Sequence, residues 1–461
     1  MTASAPLLSR REAIAALGVA TASALGIAAE PAVRLATFHA EVTTPIGHPM
    51  MGGGVAPAQK IDDPLYVYGL VFLGADKPLV LAAVDWREIR NDAYEAWRTT
   101  LADAVGTTAE RVLVCSVHQH DAPVADLAAQ RLLDKHKAAG KIIDLDFHAK
   151  VLERVGKAAR ECVQSARPVT HIGAGQAAVV DVASNRRWID AAGKPQFHRY
   201  SATRDPKVRE QPTGLIDPNL KMLSFWDGDQ LVATVSGYAT HPMSYYGKGG
   251  VSADFVGLAR KRFQAEHPSA AHLYVSGCSG NVTAGKFNDG SVENRPVLAD
   301  RIFQGMTRAW KATKRQPLTA LTFRSTALEL EPRNDAGFSV EEMTKRLTTD
   351  PKPFGQCLAA LGLSWRARVE AGRKIDVPVI DFGGAQLLLM PAESYVEFQL
   401  AAQELRPDSF VLTAGYGESA PGYIPIDRAF TENDTNLHDW CWVAPGSEKR
   451  MRAALEAVLK K

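Results

Sequence analysis

The 461-residue chain has no Cys-x-x-Cys pair. Its five cysteines, Cys115, Cys162, Cys278, Cys357 and Cys441, are scattered and odd in number, which argues against a structural zinc–thiolate site. Buried free thiols are the simplest reading, and one or two disulfides stay open with no pairing indicated. There is no long basic run, and the formal net charge is only +2, so nothing selects nucleic acid or an acidic surface as a partner. Beyond the N-terminus no stretch reaches the length of an apolar membrane span, so no transmembrane anchor is expected in the mature chain. Internal repeats and low-complexity linkers are also missing. Length alone suggests several domains, but without a linker one large domain is the simpler account.

Apolar residues make up 46% and charged residues 23% of the chain, which places it among ordinary globular proteins. The start departs from that pattern. Ser9-Arg10-Arg11-Glu12 precedes a mildly apolar, Ala/Gly-rich stretch from Ala13 to Ala29. A paired arginine before a weakly hydrophobic segment is the pattern of a twin-arginine export signal. Residues 1–29 are therefore expected to be a signal peptide and 30–461 the folded domain. The localisation expected is periplasmic or secreted.

The stretch that organises the rest is Ser116-Val117-His118-Gln119-His120-Asp121-Ala122-Pro123. It follows the apolar run Arg111-Val112-Leu113-Val114-Cys115, which reads as a buried strand. Alternate residues of a strand point the same way, so the two histidines can share one side. Alone, a His-x-His pair fits a polar loop as well as it fits a metal.

Further strand ends carry similar signals. The run from Gln230 to Tyr238 leads into Ala239-Thr240-His241-Pro242, and His272 to Val275 leads into Ser276-Gly277-Cys278-Ser279-Gly280-Asn281-Val282-Thr283. Glycines and small polar residues there predict a tight loop with close backbone approach. Val377 to Phe382 and Ala385 to Met390 read as a hairpin around Gly383-Gly384, and Pro391-Ala392-Glu393-Ser394 as the opening of a helix through Glu404. Helices are expected over Asp92–Ala104, Val124–Ala138, Phe147–Ser165, Ala253–Glu266, Arg295–Trp310 and Phe354–Ala371. Residues 170–215 are polar and turn-rich and suggest no element. Strands and helices alternate throughout, which predicts a single large mixed α/β domain with functional loops at strand ends.

Taken in order, these segments resemble the neutral (non-lysosomal) ceramidase family. Thr44-Pro45-Ile46-Gly47-His48-Pro49-Met50 is similar to the family's T-P-P-x-G-x-P-M, and His118 to Pro123 to its H-T-H-S-G-P. Asn185-Arg186 resembles the start of N-R-S-P, and His241-Pro242 that of H-P-T. Gly280 to Ala284 resembles G-D-x-S-P, Pro391-Ala392-Glu393 resembles P-G-E, and Gly422-Tyr423-Ile424-Pro425 resembles the tyrosine-bearing segment.

The resemblance implies one Zn²⁺ per chain, held by His118, His241, Glu393 and Tyr423. Imidazole and carboxylate suit zinc on chemical grounds as well. It also implies catalytic roles for His120, Arg186 and Thr283. His120 would steady an oxyanion or carry a proton, and Arg186 would bind a polar group of the substrate. Several substrate-facing positions depart from the family: Asn281 for aspartate, Thr283 for serine, Asp121-Ala122 for Ser-Gly, and Thr435 for a second tyrosine. The family's C-terminal β-sandwich domain has no counterpart in the 461 residues.

The function expected is hydrolysis of an N-acyl, ceramide-like amide by metal-activated water, acting on a small-molecule or lipid amide. One alternative is a zinc hydrolase of the same fold with a more polar substrate. The other is a non-catalytic binding protein that keeps the fold.

Overall fold

The stretch Leu79–Val84 is apolar at every position and buried at every position. A strand of that kind is covered on both faces. The cover comes from helices on one side and from two further sheets on the other. The computed structural model describes residues 1, 33–197 and 199–460, and residues Val33–Lys461 make one compact unit. Apart from Met1, the expected signal segment lies outside the described residues.

Strands β1 (Arg34–Glu41), β2 (Tyr66–Leu73) and β3 (Leu79–Val84) form an antiparallel meander. Helix α1 (Asn91–Val105) crosses over, and β4 (Val112–Ser116) pairs in parallel with β3. Helix α2 (Leu145–Cys162) packs on β1, whose outer edge takes the two-residue strand β5 (Arg167–Pro168).

The series then recurs. Strands β6 (His171–Ala178), β7 (Asn219–Asp227) and β8 (Gln230–Tyr238) are antiparallel neighbours. Helix α3 (Asp254–Glu266) leads to β9 (Ala271–Ser276), parallel to β8. Helix α4 (Asn294–Lys311) packs on β6, and β10 (Lys314–Pro317) pairs with its edge. A third copy has β11 (Thr322–Leu328), β12 (Ile375–Asp381) and β13 (Ala385–Leu389), then α5 (Val396–Glu404) and the parallel strand β14 (Phe410–Ala414). Helix α6 (Ser447–Leu459) packs on β11. Two helices, Val340–Thr349 and Pro353–Glu370, are inserted between β11 and β12.

The expectation of no internal repeat therefore holds for the residues and fails for the topology. Each copy is three antiparallel strands, a crossover helix and a parallel fourth strand. The three sheets share one core. At its centre lie Phe72, Phe225 and Phe382, one from each copy, with ring centroids 5.1, 5.4 and 5.3 Å apart. Burying a phenylalanine contributes about 1.5–3 kcal/mol, and tilted aromatic contacts add to it.

Three local expectations are corrected. Residues 170–215 contain β6, an interior strand of the second sheet. Its sequence, HIGAGQAA, is small because α4 comes close: a Cβ on Gly175 would stand 2.2 Å from the Ala309 carbonyl oxygen. The helix expected from Val124 starts only at Leu127, where Asp126 accepts from the Ala129 N–H as its N-cap. The helix expected to open at Pro391 starts at Val396, because Glu393 and Ser394 pair in parallel with Tyr423 and Ile424.

The ends of the fourth strands are tied in a ring. Ser116 N–H donates to the Tyr416 carbonyl (3.0 Å), and Gly415 N–H to the Ser276 carbonyl (2.7 Å). The Ser276 hydroxyl donates to the Val117 carbonyl (2.7 Å). In each copy the last residues of the parallel pair are in register: Val84 with Ser116, Tyr238 with Ser276, Leu389 with Ala414. The loops leaving these ends converge at one place.

Candidate metal centre

Each copy sends side chains to that place. His118 and His120 follow β4, His241 follows β8, Glu393 follows β13, and Tyr416 follows β14. His118, His241 and Glu393 are fully buried and His120 nearly so. Three non-glycine residues beside the ring have left-handed backbones: His118 (φ 74°), Ala392 (φ 49°) and Tyr416 (φ 57°). Such conformations cost energy and persist where the surroundings enforce them.

The Nδ1 atom of His118 lies 2.8 Å from the Arg87 carbonyl oxygen, and Nδ1 of His241 lies 2.6 Å from that of Ser279. A carbonyl oxygen can only accept, so both Nδ1 atoms carry the proton. Both Nε2 atoms are then left with a lone pair. These point at one carboxylate oxygen, Glu393 Oε2, at 3.5 Å from His118 and 3.0 Å from His241. Burial lowers the pKa of both imidazoles, keeping them neutral. Three acceptor atoms so close repel one another unless a cation sits among them. His118 Nε2 and Glu393 Oε1 also lack any hydrogen-bond partner. The donor set therefore fits a metal ion: neutral imidazoles steered by backbone carbonyls, plus a carboxylate.

His118, His120 and His241 have nitrogens within 4.8 Å of one another, as do the ligand atoms of Glu88, His118 and Glu393. The His120 ring lies 5.2 Å from that of His118, nearly perpendicular to it at 89°. Burial first, then Arg87 and the other histidines, hold His120 well below its ordinary pKa. Its Nδ1 is buried without a partner. The next residue anchors the loop: Asp121 accepts from Gly247 N–H (2.8 Å) and from Arg295 (3.1 Å).

Tyr423 is the cross-strand partner of Glu393. Its ring centroid is 6.3 Å from that of His241, and the Arg186 guanidinium lies 5.7 Å from the ring. Burial pushes its phenol pKa up. Arg186 donates to Asn436 Oδ1. Thr283 forms a backbone bridge with His241, but its hydroxyl donates to the Tyr200 carbonyl (2.8 Å) and accepts from Gly285 N–H (3.1 Å). Asn281 supports helix α5, accepting from Val396 N–H (2.9 Å). Thr435 donates to the Phe197 carbonyl at 3.3 Å. The structure thus brings His118, His120, His241 and Glu393 into one cluster with Tyr423 beside it. It directs the Thr283 hydroxyl elsewhere.

Sequence reasoning assigned no role to Arg87, Glu88, Tyr416 or Trp440. Arg87 sits over Trp440, its guanidinium carbon 4.1 Å from the ring centroid. Its terminal nitrogen is 3.7 Å from Glu393 and 3.8 Å from Glu88. Glu88 accepts from Arg90 (2.9 Å) and from Trp440 Nε1 (2.8 Å). A signal was available: Arg87-Glu88-Ile89-Arg90 follows the wholly apolar β3, and charges that close to a buried strand end need partners.

No family model matches the sequence, and no curated protein matches it. Solved structures do. A crystal structure of neutral ceramidase from Pseudomonas aeruginosa is 16% identical, with a TM-score of 0.64 over 92% of this chain and 73% of that one. A ceramidase complexed with C2 is also 16% identical, with a TM-score of 0.67 over 94% of this chain and 76% of that one. The fold is ceramidase-like. Within that fold the described residues hold a buried histidine and glutamate group able to take a metal. No described helix is long and apolar enough to cross a membrane.

Proposed function

We propose that this protein is a zinc-dependent hydrolase that cleaves an N-acyl, ceramide-like amide. The observation behind the reading is the meeting of the His118 and His241 Nε2 lone pairs at Glu393 Oε2. These three residues would hold the ion, one per chain, with Tyr423 beside them as the fourth ligand. Zinc in such a set acts as a Lewis acid toward a carbonyl oxygen and makes water nucleophilic near neutral pH.

The chain's own groups do the rest. The free Nδ1 of His120 takes up a proton and passes it to the leaving nitrogen, and the same ring steadies the oxyanion. Arg186 holds a polar group of the substrate. Thr283, bound to Tyr200, shapes the wall behind His241. Residues 1–29 are proposed to be a twin-arginine signal, so that the catalytic domain 30–461 works outside the cytoplasm. The mass of the exported protein tests that boundary.

The central test is zinc content of wild type and His241→Ala, with hydrolysis of a fluorescent N-acyl sphingosine measured alongside. One zinc per wild-type chain, lost in the variant, together with turnover, supports the whole reading. Zinc without turnover keeps the site and moves the substrate. A wild-type protein that binds no zinc overturns the mechanism.

A further inference from the structure

Two anchors in the loop after β8 run to one side chain. The Tyr245 carbonyl accepts from Arg295 (2.7 Å), and the same Arg295 nitrogen donates to Asp121 Oδ2 (3.1 Å). Two residues on, Gly247 N–H donates to Asp121 Oδ1 (2.8 Å). Asp121 follows His120 in the chain, so the residue between the anchors, Tyr246, is brought back to His120. The two ring centroids stand 5.2 Å apart, with the planes tilted by 60°.

Everything around Tyr246 is tied down. Arg295 and Asp121 are buried, and the guanidinium carbon lies 3.8 Å from the Tyr245 ring centroid. Asn288 Nδ2 donates to the Ser244 carbonyl (2.9 Å), and Ser244 N–H donates to Asp254 (3.0 Å). Gly247 has φ of 77°, which lets the chain turn directly after Tyr246. Tyr246 itself takes no part in these contacts. It is half-buried and lies outside the apolar core clusters, and its hydroxyl has no hydrogen-bond partner among the described residues. Asp121 also stands where the ceramidase resemblance leads one to expect a serine. A serine has one side-chain oxygen, and the two anchors use two. The clamp therefore belongs to this chain's own departure from that pattern.

An aromatic ring held against a buried imidazole, with a face left open and no packing role of its own, is placed for a ligand. In the reaction proposed above His120 serves the leaving nitrogen, so whatever that nitrogen carries lies beside His120. A flat apolar surface there suits a hydrocarbon chain, which gains by leaving water. We infer that Tyr246 is a specificity-determining residue. Its ring forms one wall of a subsite for the amine half of the substrate, and that half carries a hydrocarbon chain. This rests on the hydrolase reading and deepens it.

The test compares N-hexanoylsphingosine with hexanamide, which share the acyl chain and the amide and differ in what the nitrogen carries. Both are given to the full chain, supplied with zinc, as wild type, Tyr246→Ala and Tyr246→Phe. Zinc content and melting temperature are measured on every sample. The preference is read as a ratio of kcat/KM where the amides turn over, and as a ratio of Kd by calorimetry where they do not. Wild type is expected to favour N-hexanoylsphingosine at least tenfold. Tyr246→Ala should lose most of that preference, through KM more than kcat, and Tyr246→Phe, which keeps the ring, should retain it. Equal treatment of the two ligands by wild type overturns the inference without needing any variant to fold. A preference that survives Tyr246→Ala overturns it too, even if overall rates fall, because the ring then serves only His120 or the loop. A wild type that turns over neither amide, yet binds N-hexanoylsphingosine with a preference that Tyr246→Ala removes, keeps the inference and defeats the hydrolase reading. The two therefore fail separately.

Discussion

The phenol ring of Tyr416 lies flat against the imidazole of His118, with centroids 4.0 Å apart and planes 18° apart. Both residues have left-handed backbones, and the Tyr416 hydroxyl meets Ser279 Oγ at 2.7 Å. One aromatic face thus holds the His118 ring edge-on to Glu393, while the loop after β9 holds the aromatic. Groups that orient a metal ligand typically change metal affinity by about 10–100-fold when removed. Tyr416→Ala is expected to weaken zinc binding by about that much, measured by competition with a chromophoric chelator. Tyr416→Phe keeps the stack and loses the Ser279 hydrogen bond together with a longer, 3.4 Å contact to His241 Nδ1, whose main partner is the Ser279 carbonyl, so its zinc affinity is expected to stay near wild type. It loses about 1 kcal/mol of stability. Equal zinc affinity in wild type and Tyr416→Ala would mean the ring is packing alone.

Asn281 stands where the ceramidase resemblance leads one to expect an aspartate. The structure supplies a reason for the amide. Its Oδ1 accepts from Val396 N–H (2.9 Å) at the start of α5, and its Nδ2 donates to Glu397 Oε2 (2.8 Å). An aspartate could serve the first role but would set two carboxylates against each other in a buried place. Asn281→Asp is expected to cost about 1–3 kcal/mol at pH 7. Adding Glu397→Gln should return most of it. Urea unfolding of the four proteins in a double-mutant cycle measures the coupling; additive losses would sink the explanation.

The parts of the fold legible in the sequence are those with a local pattern. The runs ending at Cys115 and at Tyr238 read as strands because they are continuously apolar or nearly so. His118, His241 and Glu393 were legible because each ends such a strand. The threefold topology was not, because the copies share neither length nor residues: the insertion of Val340–Thr349 and Pro353–Glu370 alone displaces the third. Strand β6 was hidden by its glycines and alanines, whose smallness answers to α4 and not to any local preference. Arg87 was hidden for a similar reason, since its partners Trp440 and Glu393 lie more than three hundred residues away in the chain. Pairings across copies leave no periodicity to read.

His48, in the loop that follows β1, is a buried structural histidine that must stay neutral. Its Nδ1 donates to the Pro49 carbonyl (2.7 Å), so Nε2 is the acceptor for Asp144 N–H at 3.2 Å. Protonation would set two N–H groups against each other. Burial accordingly lowers its pKa from 6.5 to about 4. The folded value is the lower one, so between these limits the unfolded chain binds more protons. The stabilisation is present above pH 6.5 and is lost as pH falls toward 4. At pH 5 the loss from this residue is about 2 kcal/mol. The stability difference between wild type and His48→Gln should shrink by about that amount from pH 7.5 to pH 5. A difference that stays constant would show that His48 does not titrate with folding.

Gly280 links the second copy of the fold to the candidate ligand of the third. Its N–H donates to the Ser394 carbonyl (3.0 Å), and a Cβ at this position would stand 2.2 Å from the Glu393 carbonyl oxygen and 2.9 Å from the Tyr395 ring. The obstacle is space, and the atom it meets is backbone, which yields less easily than a side-chain tip. Gly280→Ala must therefore push the Glu393–Ser394 strand away from β9, carrying the carboxylate off the His118 and His241 nitrogens. Overpacking of this kind costs about 1–3 kcal/mol, and zinc affinity should fall by at least tenfold. Gly69→Ala separates the two effects. A Cβ there would meet the Phe38 ring at 2.1 Å within the first sheet, so it should cost comparable stability. Gly69 does not touch the cluster, and its zinc affinity should remain that of wild type. If both variants lose zinc in proportion to their stability, the close approach at Gly280 is a packing contact. If only Gly280→Ala loses it, that contact sets where Glu393 stands.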